Sequence, residues 1–238
     1  MEKLTKEHIS AALNDVPLFS SLSSELIELL ANVVNTRDYP KNTFILSAGD
    51  KADSLYIILT GSVKVSIVDI DGKEVILSLL EQGDIFGEMA LIDDHPRSAD
   101  IVTRGPCELM MIRKDDFRKC LAQSPALSMQ IMLGLVQKLR EADRKIESLA
   151  LVNVYGRVAQ ALLEFSEKRE DTLVIDDKLT HQDIARMVGA SREMVTRVMR
   201  DLVDGEYISI EKRNIILHHK LEVYAQEIGR AHAHSTNV

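Results

Sequence analysis

Between Tyr39 and Ile112 the apolar residues come in short, strand-like runs, and a glycine turn cuts most of them apart. Phe44 and Leu46, then Leu55–Leu59, then Val63, Val65 and Ile67 follow one another in this way. The breaks are Ala48-Gly49-Asp50, Thr60-Gly61-Ser62, Asp71-Gly72-Lys73 and Gln82-Gly83-Asp84. Runs of this length and period are strands, because a pleated strand turns successive side chains to opposite faces. Asp71-Gly72, set between Val63–Val68 and Val75–Leu79, predicts a hairpin. Ile101–Thr103 and Leu109–Ile112 add two more strands. Strands punctuated every eight to twelve residues specify a small antiparallel barrel or roll.

Helical spacing flanks this stretch on both sides. Leu22, Leu26, Leu29, Leu30 and Val33 share one helix face, with Ser23 and Ser24 available as caps. Beyond Lys114 the pattern stays helical, and Pro125 suits the first turn of a long helix reaching about Val152. On it Met132, Leu135, Leu139, Ala142, Ile146 and Leu149 recur at intervals of three and four between charged flanks, the pattern of a two-stranded coiled-coil seam. A homodimer follows from that seam. Tyr155-Gly156 then interrupts or bends the helix and places a domain boundary near Asn153. Three parts result: residues 1–124, the long helix 125–153, and 154–238.

In the last part Thr180-His181-Gln182-Asp183 reads as a capping box with Asp replacing the usual Glu. Ile184, Ala185 and Val188 point inward, Gly189 turns the corner, and Ser191 caps a second helix bearing Met194, Val195, Val198 and Leu202. This is a helix-turn-helix. Tyr207–Ile210, the polar Glu211–Asn214 turn and Ile215–His218 add a wing. Arg192, Glu193, Arg197 and Arg200 lie on the outer side of the second helix. Arg pairs with guanine O6/N7 and Glu accepts from cytosine N4, so these residue types suit major-groove reading. Thr180, Ser191 and Thr196 complete the expected DNA-contacting set. The whole chain carries a net charge of −8, and residues 153–238 hold 12 Lys/Arg against 14 Asp/Glu. DNA contact must therefore come from a local basic face rather than a basic domain.

One loop inside the roll carries different chemistry. Phe86 to Ala99 reads Phe-Gly-Glu-Met-Ala-Leu-Ile-Asp-Asp-His-Pro-Arg-Ser-Ala, with an acid and a base held close on a tight loop. That combination suits a ligand that is both sugar-like and anionic. A carboxylate accepts from hydroxyls, and a guanidinium matches the two free oxygens of a phosphodiester. Nothing in the sequence has the spacing of a nucleophile–base pair, a metal site or a P-loop, so no enzyme is expected. Cys107 and Cys120 are too few for an ordinary iron–sulfur cluster. His95 and the His232-Ala-His234 tail do not make a metal or haem site. The apolar runs are too short to span a membrane, and the first residues lack a signal core, so a cytoplasmic protein is expected.

With both motifs and the long helix between them, residues 15–218 resemble the cyclic AMP receptor protein / fumarate–nitrate regulator family of bacterial transcription factors. The resemblance implies an α+β chain: an N-terminal antiparallel β-roll of the double-stranded jelly-roll type, a long dimerisation helix, and a C-terminal winged helix-turn-helix. Phe86–Leu91 with Pro96–Ala99 looks like that family's phosphate-binding cassette. Gly87 and Glu88 are then implied on the ribose side, Arg97 and Ser98 on the cyclic phosphate, and the Met89 and Ala90 backbone N–H groups as further donors. Ala142 and Asp143 fall where the family's base-contacting residues lie on the dimer helix. A carboxylate there accepts from adenine's amino group and suits guanine's N–H edge better. Cyclic AMP is the first expectation, with cyclic GMP or cyclic di-GMP as alternatives, and so is a ligand-independent DNA-binding regulator. Ser191–Arg197 implies a palindrome of TGTGA-like half-sites. The further partners implied are double-stranded DNA, a second copy of the chain and RNA polymerase, for which the Lys168–Lys178 loop is a candidate surface.

Overall fold

The structure is a computed structural model that describes residues 6–16, 19, 22–170, 172–175, 179–211 and 214–225. The His232/His234 tail and the Lys178 end of the charged loop lie outside the described residues. The chain divides into two compact units, Met1–Leu139 and Arg140–Val238.

In the first unit, helices α1 (Lys6–Asp15) and α2 (Ser24–Val33) precede the strands. Ser23 caps α2 by accepting from the Leu26 N–H, as its side chain and position suggest. Strands β1 (Asn35–Tyr39), β2 (Phe44–Leu46), β3 (Ser54–Thr60), β4 (Val63–Val68), β5 (Glu74–Leu80) and β6 (Ile85–Phe86) follow. A one-turn helix α3 (Met89–Ile92) leads to β7 (Asp100–Thr103) and β8 (Cys107–Arg113), then to helix α4 (Lys114–Gln123). Two four-stranded antiparallel sheets result, ordered β1-β8-β3-β6 and β2-β7-β4-β5.

β3 and β8 explain why the apolar runs are continuous. Tyr56, Ile58 and Leu109 face the interior of the roll with Val63, Phe86 and Ile101. Their neighbours Leu55, Ile57, Met110 and Ile112 face a second core with Leu13, Leu30 and Phe117 of the helices. A strand buried on both faces has no polar side to alternate with. The Asp71-Gly72 hairpin forms as the sequence predicts. β4 and β5 pair from Val63↔Leu80 to Val68↔Glu74. Gly72 takes φ +78, and the Asp69 carboxylate accepts from the N–H groups of Asp71 and Lys73.

Helix α5 (Pro125–Leu151) begins at Pro125, with the Ser124 hydroxyl accepting from the Leu127 N–H. Its phase departs from the expected seam. Leu127 and Ile131 are buried and Leu135 packs against the same core, so Leu135 belongs to the roll. The exposed row of this half is Met129, Met132, Leu133, Val136 and Leu139.

In the second unit the remainder of α5 exposes Ile146 and Leu149. The chain breaks at Val152-Asn153 rather than at Tyr155-Gly156: Asn153 caps α6 (Val154–Glu164) by accepting from the Gly156 N–H. Arg157 clasps this corner, donating to the carbonyls of Val152 and Val188 at 2.7 and 2.9 Å. The charged segment that follows is a hairpin of β9 (Glu167–Arg169) and β10 (Thr172–Ile175). Helices α7 (His181–Val188) and α8 (Arg192–Asp204) come next, then β11 (Ile208–Glu211) and β12 (Asn214–Leu217). The wing joins the hairpin in one sheet, β11-β12-β10-β9.

Candidate functional site

The cassette loop is built around a glycine that no other residue can replace without strain. Gly87 follows β6 with φ +82, and a Cβ there would lie 2.7 Å from Arg97 Nη1 and 3.1 Å from Leu46 Cδ1. The bare backbone lets the Arg97 guanidinium lie against it and donate to the Gly87 carbonyl at 2.7 Å. Arg97 Nη2 donates to the Ser54 carbonyl at 2.6 Å and lies 3.7 Å from an Asp53 carboxylate oxygen. Main-chain bonds fix the loop on the β2–β3 connection: Arg97 N–H to Asp50 O and Gly49 N–H to Arg97 O. Beneath it, Phe86 stacks on Tyr56 with ring centroids 5.3 Å apart.

Glu88 and Arg97 are both buried, an unusual state for charged side chains. Burial pulls the Arg97 pKa below its ordinary value, and the charges of Asp53, Tyr56, Glu88 and Asp50 oppose that shift. Among the described residues, Arg97 Nε is the buried side-chain nitrogen with no hydrogen-bond partner. A buried donor left in this state costs free energy until an acceptor meets it, and a phosphate oxygen is such an acceptor. Glu88 occupies the cap position of α3 without capping it. Its Oε1 instead accepts from Lys138 Nζ of α5 at 2.6 Å. Met89 and Ser98 are exposed, and Ala90 is buried. Ala142 and Asp143 are exposed on α5, in the second unit.

On the outer side, Asp94 holds the loop to α4. It pairs with Lys114 and accepts from Arg118 at 2.8 Å. The Arg118 hydrogen bond, then that of Lys114, pulls its carboxyl pKa down to about 2. His95 is exposed in the same loop. Among the described residues no group of three or more His, Cys, Asp or Glu could hold a metal ion.

The second site is the α7–α8 corner. The Thr180–Asp183 capping box is complete in both directions. Gly189 closes α7 in the left-handed conformation at φ 65, and Ser191 caps α8 by accepting from the Met194 N–H. Val195, Val198, Met199 and Leu202 are buried, which turns Arg192, Glu193, Arg197 and Arg200 outward. Thr196 is half-buried, and its hydroxyl lies 3.2 Å from His181 Nδ1. The Glu193 carboxyl sits below its usual pKa, held first by its own backbone N–H and then by Ser191.

Two partners escape a reading of the sequence. Lys138 looks like a charged flank of a coiled coil, yet Leu127, Ile131, Leu135 and Lys138 share the inward row of α5 at spacings of 4, 4 and 3. That row leads Lys138 to Glu88, and knowing the helix phase would have found it. His181 appears only as the second residue of a capping box.

Residues 36–124 match the cyclic nucleotide-binding domain family, and residues 156–222 match the Crp-like helix-turn-helix domain family. The cAMP-activated global transcriptional regulator CRP of Pasteurella multocida is 38% identical over 184 residues, covering 76% of this chain and 88% of that protein. The chain belongs to the CRP/FNR family. A CRP-like cAMP-activated global transcriptional regulator of Mycobacterium tuberculosis is 29% identical over 204 residues, covering 84% and 91%. Among solved CRP/FNR-type structures, the c-di-GMP responsive global regulator CLP of Xanthomonas campestris superposes with a TM-score of 0.72 at 28% identity. It covers 82% of this chain and 99% of that one. A CRP/FNR-family regulator from Thermus thermophilus gives 0.68 at 29%, covering 81% and 98%. These relatives are transcriptional regulators. No helix among the described residues is long and apolar enough to cross a membrane.

Proposed function

We propose that this CRP/FNR-family chain is a homodimeric transcriptional regulator gated by a cyclic nucleotide, cyclic AMP first, that binds a palindrome of TGTGA-like half-sites. The observation that carries the gating is the buried Glu88 and Arg97 on one loop, with Arg97 Nε lacking an acceptor. A hydroxyl-accepting carboxylate and an anion-seeking guanidinium suit a ribose cyclic phosphate, with Gly87, Met89, Ala90 and Ser98 around it. Ala142 and Asp143 are the base-side candidates. Asp143 suits a guanine edge, and the Xanthomonas relative is c-di-GMP responsive, so cyclic di-GMP is the second reading.

The exposed apolar rows of α5 support dimerisation, since Met132, Leu139, Ile146 and Leu149 gain burial only against another surface. Two α8 helices in a dimer then enter major grooves about 34 Å apart. Arg192, Glu193 and Arg197 read bases, while Thr180, Ser191, Thr196 and Arg200 position the helix. Ligand gating requires the nucleotide to bind one arrangement more tightly, typically by about 1–3 kcal/mol. RNA polymerase is the expected partner at the promoter.

The test is calorimetric titration with cyclic AMP, cyclic GMP and cyclic di-GMP, followed by operator binding with and without the nucleotide that binds. Arg97→Ala is expected to abolish the ligand response. Ligand-dependent operator binding left undiminished by Arg97→Ala would falsify the pocket assignment. Binding of none of the three nucleotides turns the assignment to a ligand-independent regulator.

A further inference from the structure

The Thr196 hydroxyl makes two contacts. It lies 2.9 Å from the Arg192 carbonyl, one turn back on α8, and 3.2 Å from His181 Nδ1. A carbonyl oxygen can only accept, so the single hydroxyl proton points at Arg192. Towards His181 the hydroxyl therefore has only a lone pair to offer, and Nδ1 must carry the proton. In the neutral imidazole this fixes the other nitrogen, Nε2, as a bare acceptor.

The place of this imidazole gives the tautomer a consequence. His181 is the first residue of α7, half-buried, and is tied to α8 at Thr196. Arg192, Glu193 and Arg200 lie within one helical turn of Thr196, so His181 borders the face assigned to DNA. A neutral His181 would bring a lone pair towards a phosphate, which repels it. A protonated one brings an N–H and a positive charge.

We propose that His181 is a proton-dependent contact to the DNA backbone, absent from the imidazole's neutral state and switched on when Nε2 is protonated. The proposal rests on reading α8 as the DNA-binding helix.

The charged groups around it frame the effect. On α7, the Asp183 carboxylate is engaged by the Thr180 N–H and hydroxyl, and Arg186 lies one turn further along. On α8, Arg192, Glu193 and Arg200 stand within one turn of Thr196, and Arg197 follows it directly. On α6, Arg157 binds the Val188 carbonyl at the opposite end of α7, and Glu164 interacts with Lys145. A polyanion brought to this face adds negative charge beside the imidazole, so DNA binding and proton uptake favour each other by linkage.

Phosphate contacts carry no sequence information, so the test needs no operator. Binding of a fluorescent random-sequence duplex is measured at low salt near pH 6 and near pH 8 for wild type, His181→Gln and His181→Arg. Wild type is expected to bind roughly tenfold tighter per subunit at the lower pH, the size of one charge-assisted contact. Its salt slope should steepen there by about 0.9 per subunit. His181→Gln should bind weakly and His181→Arg tightly, each without the pH-dependent change that wild type shows. His218 and His219 remain in all three proteins, so a pH ratio equal in wild type and His181→Gln overturns the proposal. Nitrogen NMR of the imidazole near pH 8 should find the proton on Nδ1, and finding it on Nε2 also overturns it. A duplex with two TGTGA half-sites, measured with cyclic AMP and with cyclic di-GMP, separates the two readings. No preference for it with either nucleotide sinks the assignment of α8, whereas preference with an unchanged pH ratio sinks only the role of His181.

Discussion

Gly87→Ala isolates the contact on which the cassette depends. Three other glycines supply its controls. Gly87, Gly72, Gly49 and Gly61 all have φ between +78 and +89, so an alanine at any of them meets similar backbone strain. That strain costs about 1–2 kcal/mol. At Gly72 and Gly49 an added Cβ has nothing within 4 Å, so strain is the whole effect. At Gly87 the Cβ falls 2.7 Å from Arg97 Nη1, with the Ser54 carbonyl 3.4 Å away. Nη1 must move, losing its bond to the Gly87 carbonyl while the guanidinium remains buried. A hydrogen bond to a charged group contributes roughly 1.5–3 kcal/mol. Gly87→Ala is therefore expected to cost about 2.5–5 kcal/mol against about 1–2 for Gly72→Ala. Gly61→Ala completes the set: its Cβ would strike the Pro106 carbonyl at 2.5 Å, away from the cassette. It should destabilise without touching ligand affinity. Urea unfolding, followed by signals from the roll, gives the stabilities, and calorimetry gives nucleotide affinity. The reasoning is refuted if Gly87→Ala is no less stable than Gly72→Ala and binds nucleotide as wild type does.

Other consequences follow from single contacts. Lys138→Met leaves the buried Glu88 carboxylate without its partner; because Lys138 is half exposed, an expected loss of about 1–2 kcal/mol lies between those of surface and buried pairs. Unchanged denaturation midpoints would show that the pair contributes nothing. The Asp94 pKa is depressed in the folded protein, so its clamp on Lys114 and Arg118 is fully present above the ordinary carboxylate range and fades as pH falls towards about 2. Asp94→Asn should flatten the acid limb of stability in that window, and an identical acid limb would refute this. Arg192→Ala should cost about 1–3 kcal/mol at one base pair and relax specificity there. Uniform weakening across all sequences would make Arg192 a phosphate contact. Leu139→Glu on the exposed row should shift sedimentation towards monomer, and an unaltered dimer would move the interface elsewhere.

The parts of this protein that were legible in the sequence are those whose determinants lie within one turn of one another. Asp71-Gly72 sets a hairpin because the residues needing positive φ and the Asx hydrogen bonds are adjacent. Thr180 and Asp183 cap α7 because they stand three residues apart, and Gly189 ends it for want of a Cβ. The cassette loop was visible although Gly87 and Arg97 stand ten residues apart, because its Gly, Glu and Arg fall in one uninterrupted segment. What tertiary structure alone decided is how those pieces meet. Heptad spacing fits Leu135 or Val136 equally well, and only the core beneath α5, already holding Leu127 and Ile131, draws Leu135 inward and leaves Val136 outside. The same rotation carries Lys138 across fifty residues to Glu88. Arg97 reaches the Ser54 carbonyl over forty-three, and His181 meets Thr196 only because α7 and α8 cross. Local spacing marks a helix as amphipathic, but which of its residues turn inward, and where a polar side chain points, depend on the distant groups that folding brings within reach as it excludes water.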